Sequence, residues 1–227
     1  MQEPLLSRND SRVHTKVAKE RACPECRRDT PHCLCGKVTS FSNRIKVIIL
    51  QHPQEQFKIS NSAALAHLML RNSTLLTGLS WKSFKTVAGE SELPSQWGIL
   101  HLKGHSNGDK PVEIFERNGS SMEKSFQLRG IIAIDGSWKQ AKALWWRNSW
   151  MLKLHRVALN PDFQSVRNQS KEEGLSTIEA IAFTLKNLGE KPVIADSLVY
   201  QYRKLIEGTC STNATLSDSE ESQSSLE

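Results

Sequence analysis

The sequence lacks any apolar run near the about 20 residues that would cross a bilayer as a helix. Its longest runs, such as Val47-Ile48-Ile49-Leu50 and Ile131-Ile132-Ala133-Ile134, are strand-sized, so no membrane anchor is expected. The first residues, MQEPLLSRND, carry acidic groups early and no apolar core followed by small residues. Neither a signal peptide nor a transit peptide fits that pattern, and a cytoplasmic location is expected. No internal repeat is visible. Residues 209–227 contain no Lys or Arg; Asp218, Glu220, Glu221 and Glu227 lie there among Ser and Thr. Such an acidic tail has little to bury and is expected to be disordered.

That tail hides part of a basic surface. The chain of 227 residues has a net charge of +6, and without the tail's four carboxylates residues 1–208 carry +10. A surface of this sign attracts polyanions through phosphate contacts and counterion release, with nucleic acid the commonest partner. A solvated basic surface without a partner is the bland alternative. At this length, 38% hydrophobic content suits a single globular domain that buries roughly 70% of its unfolded surface.

Cysteine is scarce but clustered. Four of five cysteines, Cys23, Cys26, Cys33 and Cys35, form a C-x2-C-x6-C-x-C pattern, while Cys210 looks incidental. In a reducing compartment such spacing argues for structural zinc rather than disulfides, because two close thiolate pairs can supply four tetrahedral ligands. His32 could replace one thiolate, and an unmetallated reduced cluster is the competing reading.

The chain therefore divides into a polar N-terminal arm at 1–20, expected to be mobile, a Cys-rich module at 21–40, an α/β domain at 41–208 and the tail at 209–227. Short β-rich runs alternate with helical periodicity, which marks the α/β class. Strands are predicted at Lys46–Gln51, Thr74–Thr77, Gly98–Leu102, Gly130–Ile134 and Arg156–Leu159. Helices are predicted at Ser60–Arg71, Ser137–Trp146, Ser176–Asn187 and Pro192–Glu207; in the last, Ile194, Leu198, Tyr202 and Leu205 mark a buried face.

Three polar clusters fall at strand ends or helix starts, where open α/β sheets bind ligands. His52-Pro53-Gln54-Glu55 follows the strand KVIILQ, and its proline holds His52 extended and leaves an imidazole and a carboxylate near the edge. Simple turn chemistry would explain it equally. Asp135-Gly136-Ser137-Trp138 follows GIIAI; Gly136 permits a tight turn, and Ser137 with Gln140 has capping-box spacing. Trp138, Ala141, Leu144 and Trp145 share a helical face that reads as core, although a Trp beside a cap can also border an adenine or sulfonium pocket. Leu175-Ser176-Thr177-Ile178-Glu179-Ala180 contains a second capping box, either a plain cap or a donor set for a carboxylate. Upstream, Arg167 could clamp a carboxylate or phosphate, or simply face solvent.

Taken in order, the cysteine pairs, HPQE, DGSW, the Arg-bearing linker and LSTIEA closely resemble the DTW-domain tRNA-uridine aminocarboxypropyltransferases, from about Cys23 to Glu207. The name-giving D-x-T-W motif appears with Ser137 in place of Thr, which keeps the hydroxyl and the capping capacity. The resemblance implies S-adenosylmethionine as cofactor, tRNA as partner and 3-(3-amino-3-carboxypropyl)uridine as product. It also implies a SPOUT-like α/β domain, a class whose cofactor site is formed by a C-terminal knot. In that chemistry a base must assist uridine N3, which is mostly protonated at neutral pH. Asp135 is the first choice, with Glu55 and His52 behind it. Ser137, Trp138, Ser176, Thr177, Glu179 and Arg167 are the cofactor-binding candidates, and Cys23, Cys26, Cys33 and Cys35 the metal ligands. Arg27, Arg28, Lys139, Lys142 and Arg147 are candidate phosphate contacts. A methyltransferase using the same cofactor, or a non-catalytic zinc-containing RNA-binding protein, are the alternatives.

Overall fold

A computed structural model describes residues 22–26, 28, 30, 33–101, 110–122, 127–166 and 174–221, with side chains described to Glu207 apart from His101. Six strands form one sheet: β1 (Lys46–Gln51), β2 (Ser73–Thr77), β3 (Trp97–His101), β4 (Val112–Phe115), β5 (Gly130–Asp135) and β6 (His155–Leu159). Their order is β2-β1-β5-β3-β6-β4, all parallel except β4, which runs antiparallel to β6 at the edge. β1 and β5 lie side by side in the middle. Helices cover both faces of a parallel sheet, so their cores read as unbroken apolar runs rather than alternating ones.

Side-chain parity separates the two faces. Val47, Ile49, Ile131 and Ala133 pack with α1 (Ser62–Met69), α4 (Thr177–Asn187) and α5 (Pro192–Glu221). Ile48, Leu50, Ile99 and Ile132 pack instead with α2 (Phe84–Ala88), the turn at Ser149–Lys153 and part of α3 (Trp138–Arg147). Glu190, in the turn between α4 and α5, is buried and accepts the Arg44 and Ile45 N–H groups at 2.6 and 2.7 Å. That carboxylate ties the helical layer to the start of the central strand. Ile194, Leu198 and Tyr202 are buried, and Leu205 packs against them.

The predicted elements are recovered with shifts of one or two residues at their ends, apart from the end of the last helix. Two were missed, α2 and β4. α2 is a little over one turn, too short to show periodicity, and β4 is a half-buried four-residue edge strand. The final helix runs to Glu221, past the predicted end at Glu207 and through the residues expected to be disordered. No proline follows Pro192 in that span, so nothing in the sequence breaks the i to i+4 backbone pattern. No helix among the described residues is long and apolar enough to cross a membrane. The arm at 1–20 and the candidates Arg27, His32 and Arg167 lie outside the described residues. So do 102–109 and 167–173, which link β3 to β4 and β6 to α4.

The centre of the sheet is tight. A Cβ at Gly130 would lie 2.5 Å from the buried Trp97 ring. Gly130→Ala should therefore destabilise the fold by about 1–3 kcal/mol through overpacking. Urea denaturation followed by tryptophan fluorescence checks this.

Candidate active site and metal centre

The register of the central strands puts Gln51 opposite both Asp135 of β5 and Thr77 of β2. Paired residues of a parallel ladder project to one side, so the last residues of three strands form a polar row at the carboxyl edge. Gln51 Nε2 donates to Asp135 Oδ2 at 2.9 Å, and Thr77 Oγ1 donates to Gln51 Oε1 at 3.3 Å. From the helix above, Thr177 Oγ1 donates to Asp135 Oδ1 at 2.6 Å. Gln51 Nε2 also reaches Asn61 Oδ1 at 3.0 Å, and this oxygen caps α1 by accepting the Ala64 N–H. Asp135 is 7% exposed. Burial pushes its carboxyl above the ordinary carboxylate range, against the Thr177 and Gln51 donors that favour the ionised form; Glu55 adds to the rise and Lys58 opposes it.

The crevice beside this carboxyl follows from topology. The chain leaves β1 towards α1 on one face and leaves β5 towards α3 on the other, so the two exits diverge and open the sheet edge between them. The HPQE and DGSW clusters close on each other across it. The His52 N–H donates to the Asp135 carbonyl at 2.9 Å, and Gln140 Nε2 donates to Gln54 Oε1 at 2.9 Å. Ser137 caps α3 in a full capping box. Gly136 is needed for space rather than for a left-handed conformation, since a Cβ there would meet Gln140 Cβ at 2.9 Å. His52 is extended as predicted, but its Nδ1 accepts the Gln54 N–H at 3.3 Å and so caps the short turn Pro53–Glu55. Glu55 is held by Lys58 at 2.7 Å. Of the three acid–base candidates, Asp135 alone lies in the polar row.

The second capping box is more heavily committed than its sequence shows. Glu179 is 1% exposed and accepts from Ser176 N, Ser176 Oγ, Ser165 Oγ and Val166 N at 2.6 to 2.8 Å. Its carboxylate thereby anchors the segment after β6 to the start of α4, next to Thr177. Trp138, the first residue of α3, is 38% exposed. A small cavity of about 40 Å³ lies between β5 and α4, lined by Leu100, Ala133, Ile134, Gly136, Leu175, Thr177 and Ala180. It is far below the about 300 Å³ of a small-molecule pocket. A larger groove of about 850 Å³ runs between Asn160–Val166 and the α4 and α5 helices, and of the predicted site residues it includes Glu179.

The four cysteines converge with their Sγ atoms all within 4.8 Å of one another. Cys23 to Cys35 and Cys26 to Cys33 are both 3.7 Å. A tetrahedron with metal–sulfur bonds of about 2.3 Å has an edge of about 3.8 Å, so the spacing fits one tetrathiolate metal ion. Backbone N–H groups of Cys26 and Glu25 lower the Cys23 thiol to about 7, whereas burial and the neighbouring thiols raise that of Cys35. Arg28, expected to meet phosphate, is 2% exposed and donates through Nη2 to the Asn61 carbonyl at 2.9 Å. It is therefore not a surface contact. Sequence reading missed Gln51 and Asn61 as site residues and placed Arg28 on the surface; the available hint was a polar residue closing the apolar strand KVIILQ.

A sequence model of the DTW domain matches residues 20–209. A Drosophila melanogaster protein named tRNA-uridine aminocarboxypropyltransferase 2 is 24% identical over 188 residues, covering 80% of this chain and 72% of that protein. A Macaca fascicularis protein of the same name is 26% identical over 189 residues, covering 80% of this chain and 61% of its own length. No solved structure matches the chain. Because the matched segment contains both the cysteine cluster and the DGSW turn that carries Asp135 to the sheet edge, the chain belongs to the DTW domain family.

Proposed function

We propose that this chain transfers the 3-amino-3-carboxypropyl group of S-adenosylmethionine to N3 of uridine in tRNA. The observation that carries the reading is the buried carboxyl of Asp135, presented at the β1/β5 crevice by the family's own motif. The names of the fly and macaque relatives point to the same reaction. A SPOUT-like threading belongs to this reading; its support is a mainly parallel sheet in which α4 starts beside the DGSW turn.

S-adenosylmethionine, when bound, supplies an electrophilic methylene carbon and leaves as neutral methylthioadenosine. The protein's task is to orient and to move a proton. Asp135 accepts the N3 proton, and its raised affinity for protons makes it a stronger base than an exposed carboxylate. Thr177 and Gln51 hold both of its oxygens, which fixes the direction of the remaining lone pairs. Trp138 borders the sulfonium side of the pocket, and the free N–H groups of the first turn of α4, together with Arg167, receive the cofactor's carboxylate. Lys139, Lys142 and Arg147 are exposed on α3, which carries no acidic residue, and meet tRNA phosphates beside the crevice. The cysteine cluster takes zinc, whose tetrahedral thiolate preference matches the sulfur spacing.

Mass spectrometry of tRNA nucleosides after incubation with the purified chain and S-adenosylmethionine should show an added aminocarboxypropyl group; an added methyl group, or no change, refutes the reading. Asp135→Asn should keep the fold and cofactor binding while lowering turnover about 10²-fold or more. Since the base works only when ionised, turnover of the wild-type chain should fall as pH drops through a midpoint above the ordinary aspartate value, a limb that a pH–rate profile reads directly. Affinity for tRNA should decline with salt at about −0.7 to −0.9 per phosphate contact in log–log form. Lys139→Glu with Lys142→Glu should flatten that slope and leave cofactor affinity, measured by calorimetry, unchanged.

A further inference from the structure

Arg28 is an expensive residue with no evident task in the proposed reaction. Its guanidinium is buried, yet Nε and Nη1 have no hydrogen-bond partner among the described residues. Buried cations with idle donors are costly unless a compensating charge lies close by. Burial works against the charge on Arg28, two residues after Cys26, and the sulfurs of Cys26, Cys33 and Cys35 favour it. Four thiolates around a divalent ion carry a net charge of −2, so loading the cluster supplies an anionic centre whose sulfurs favour the charge on Arg28. The remaining donor, Nη2, leads the other way: Arg28 Nη2 to Asn61 O at 2.9 Å, Gln51 Nε2 to Asn61 Oδ1 at 3.0 Å, and Gln51 Nε2 to Asp135 Oδ2 at 2.9 Å. Asn61 belongs to both halves, because its carbonyl is held by Arg28 while its side chain caps α1 and meets Gln51.

We propose that Arg28 is the counter-charge of the metal–tetrathiolate centre and, through Asn61 and Gln51, a positioning residue for Asp135. The cysteine module then forms part of the framework of the active site. Metal binding fixes the guanidinium, the guanidinium fixes the N-terminus of α1, and that terminus keeps the Gln51 amide pointed at the carboxyl. The acid–base readout at Asp135 includes the other groups that act on it, Thr177 from α4 and Glu55 and Lys58 from the turn after β1, none of which touches the cysteines.

The test uses the full chain loaded with cobalt, whose tetrathiolate absorption reports ligation. Affinity is measured by chelator competition, and the Asp135 carboxyl is followed by carbon NMR titration, its signal identified by loss in Asp135→Asn. Arg28→Met should weaken cobalt binding about 10- to 100-fold with the tetrathiolate spectrum intact at saturation, as for loss of an outer-sphere partner. It should also raise the Asp135 midpoint, because a loosened Asn61 lets the Gln51 donor drift. Arg28→Lys, which keeps the charge, should recover most of the affinity. Removing the metal from the wild-type chain should shift the Asp135 midpoint in the same direction while circular dichroism shows the sheet retained, which keeps the proposal testable if Arg28→Met fails to fold. Unchanged cobalt affinity in Arg28→Met, or an Asp135 midpoint indifferent to metal removal, overturns it. The Asp135 role in this proposal rests on the reading of that residue as the base, but neither readout requires turnover. Failure of aminocarboxypropyl transfer would therefore be seen separately.

Discussion

The parallel pairing of β1 with β5 places Gln51 directly opposite Asp135, and the site depends on that register. A slip of β1 by one residue would turn Gln51 to the opposite face and away from Asp135. In that register Val47, Ile49, Ile131 and Ala133 face one helical layer while Ile48, Leu50 and Ile132 face the other, and the close fit of these side chains to the two layers holds it. Hydrophobic burial on both sides of two strands thus aims two polar side chains at their ends. The same central position forces the strand exits apart and leaves the crevice there.

Around this row the fold keeps several polar groups out of water, and each joins segments distant in sequence. Glu190 joins the α4–α5 turn to the start of β1, and Glu179 joins the segment after β6 to the start of α4. Asn148 joins α3 to the loop after β2 by accepting the Trp81 N–H and donating to the Leu79 carbonyl. A buried polar group left without partners costs more than a made hydrogen bond returns, so such residues define one arrangement of the loops instead of merely adding stability. Next to Thr177, the segment after β6 and the start of α4 are held together in this way by Glu179.

Much of this was legible in the sequence. The central strand Lys46–Gln51 was bounded correctly because an apolar β-branched run ended at a proline-containing turn. Both capping boxes formed as their spacing required. The four cysteines met because their spacing is short enough for one turn-rich module to gather them. Local patterns of this kind depend on residues within a few positions of one another, and the chain cannot easily override them. Edge elements such as β4 were not legible, because a half-buried four-residue strand leaves too short an alternation to detect.

By itself the sequence determined the α/β class, the strand-end placement of Asp135 and the grouping of the cysteines, all through local periodicity, turn chemistry and spacing. Only the tertiary structure decided that Asp135 would be buried and hydrogen-bonded by Gln51 and Thr177, that Glu179 would be wholly occupied by protein donors, and that Arg28 would be inside. The physical reason is sequence distance. Those outcomes depend on which strands become neighbours and which segments lie over their ends, and no local pattern encodes a partner several helical turns or more away in sequence.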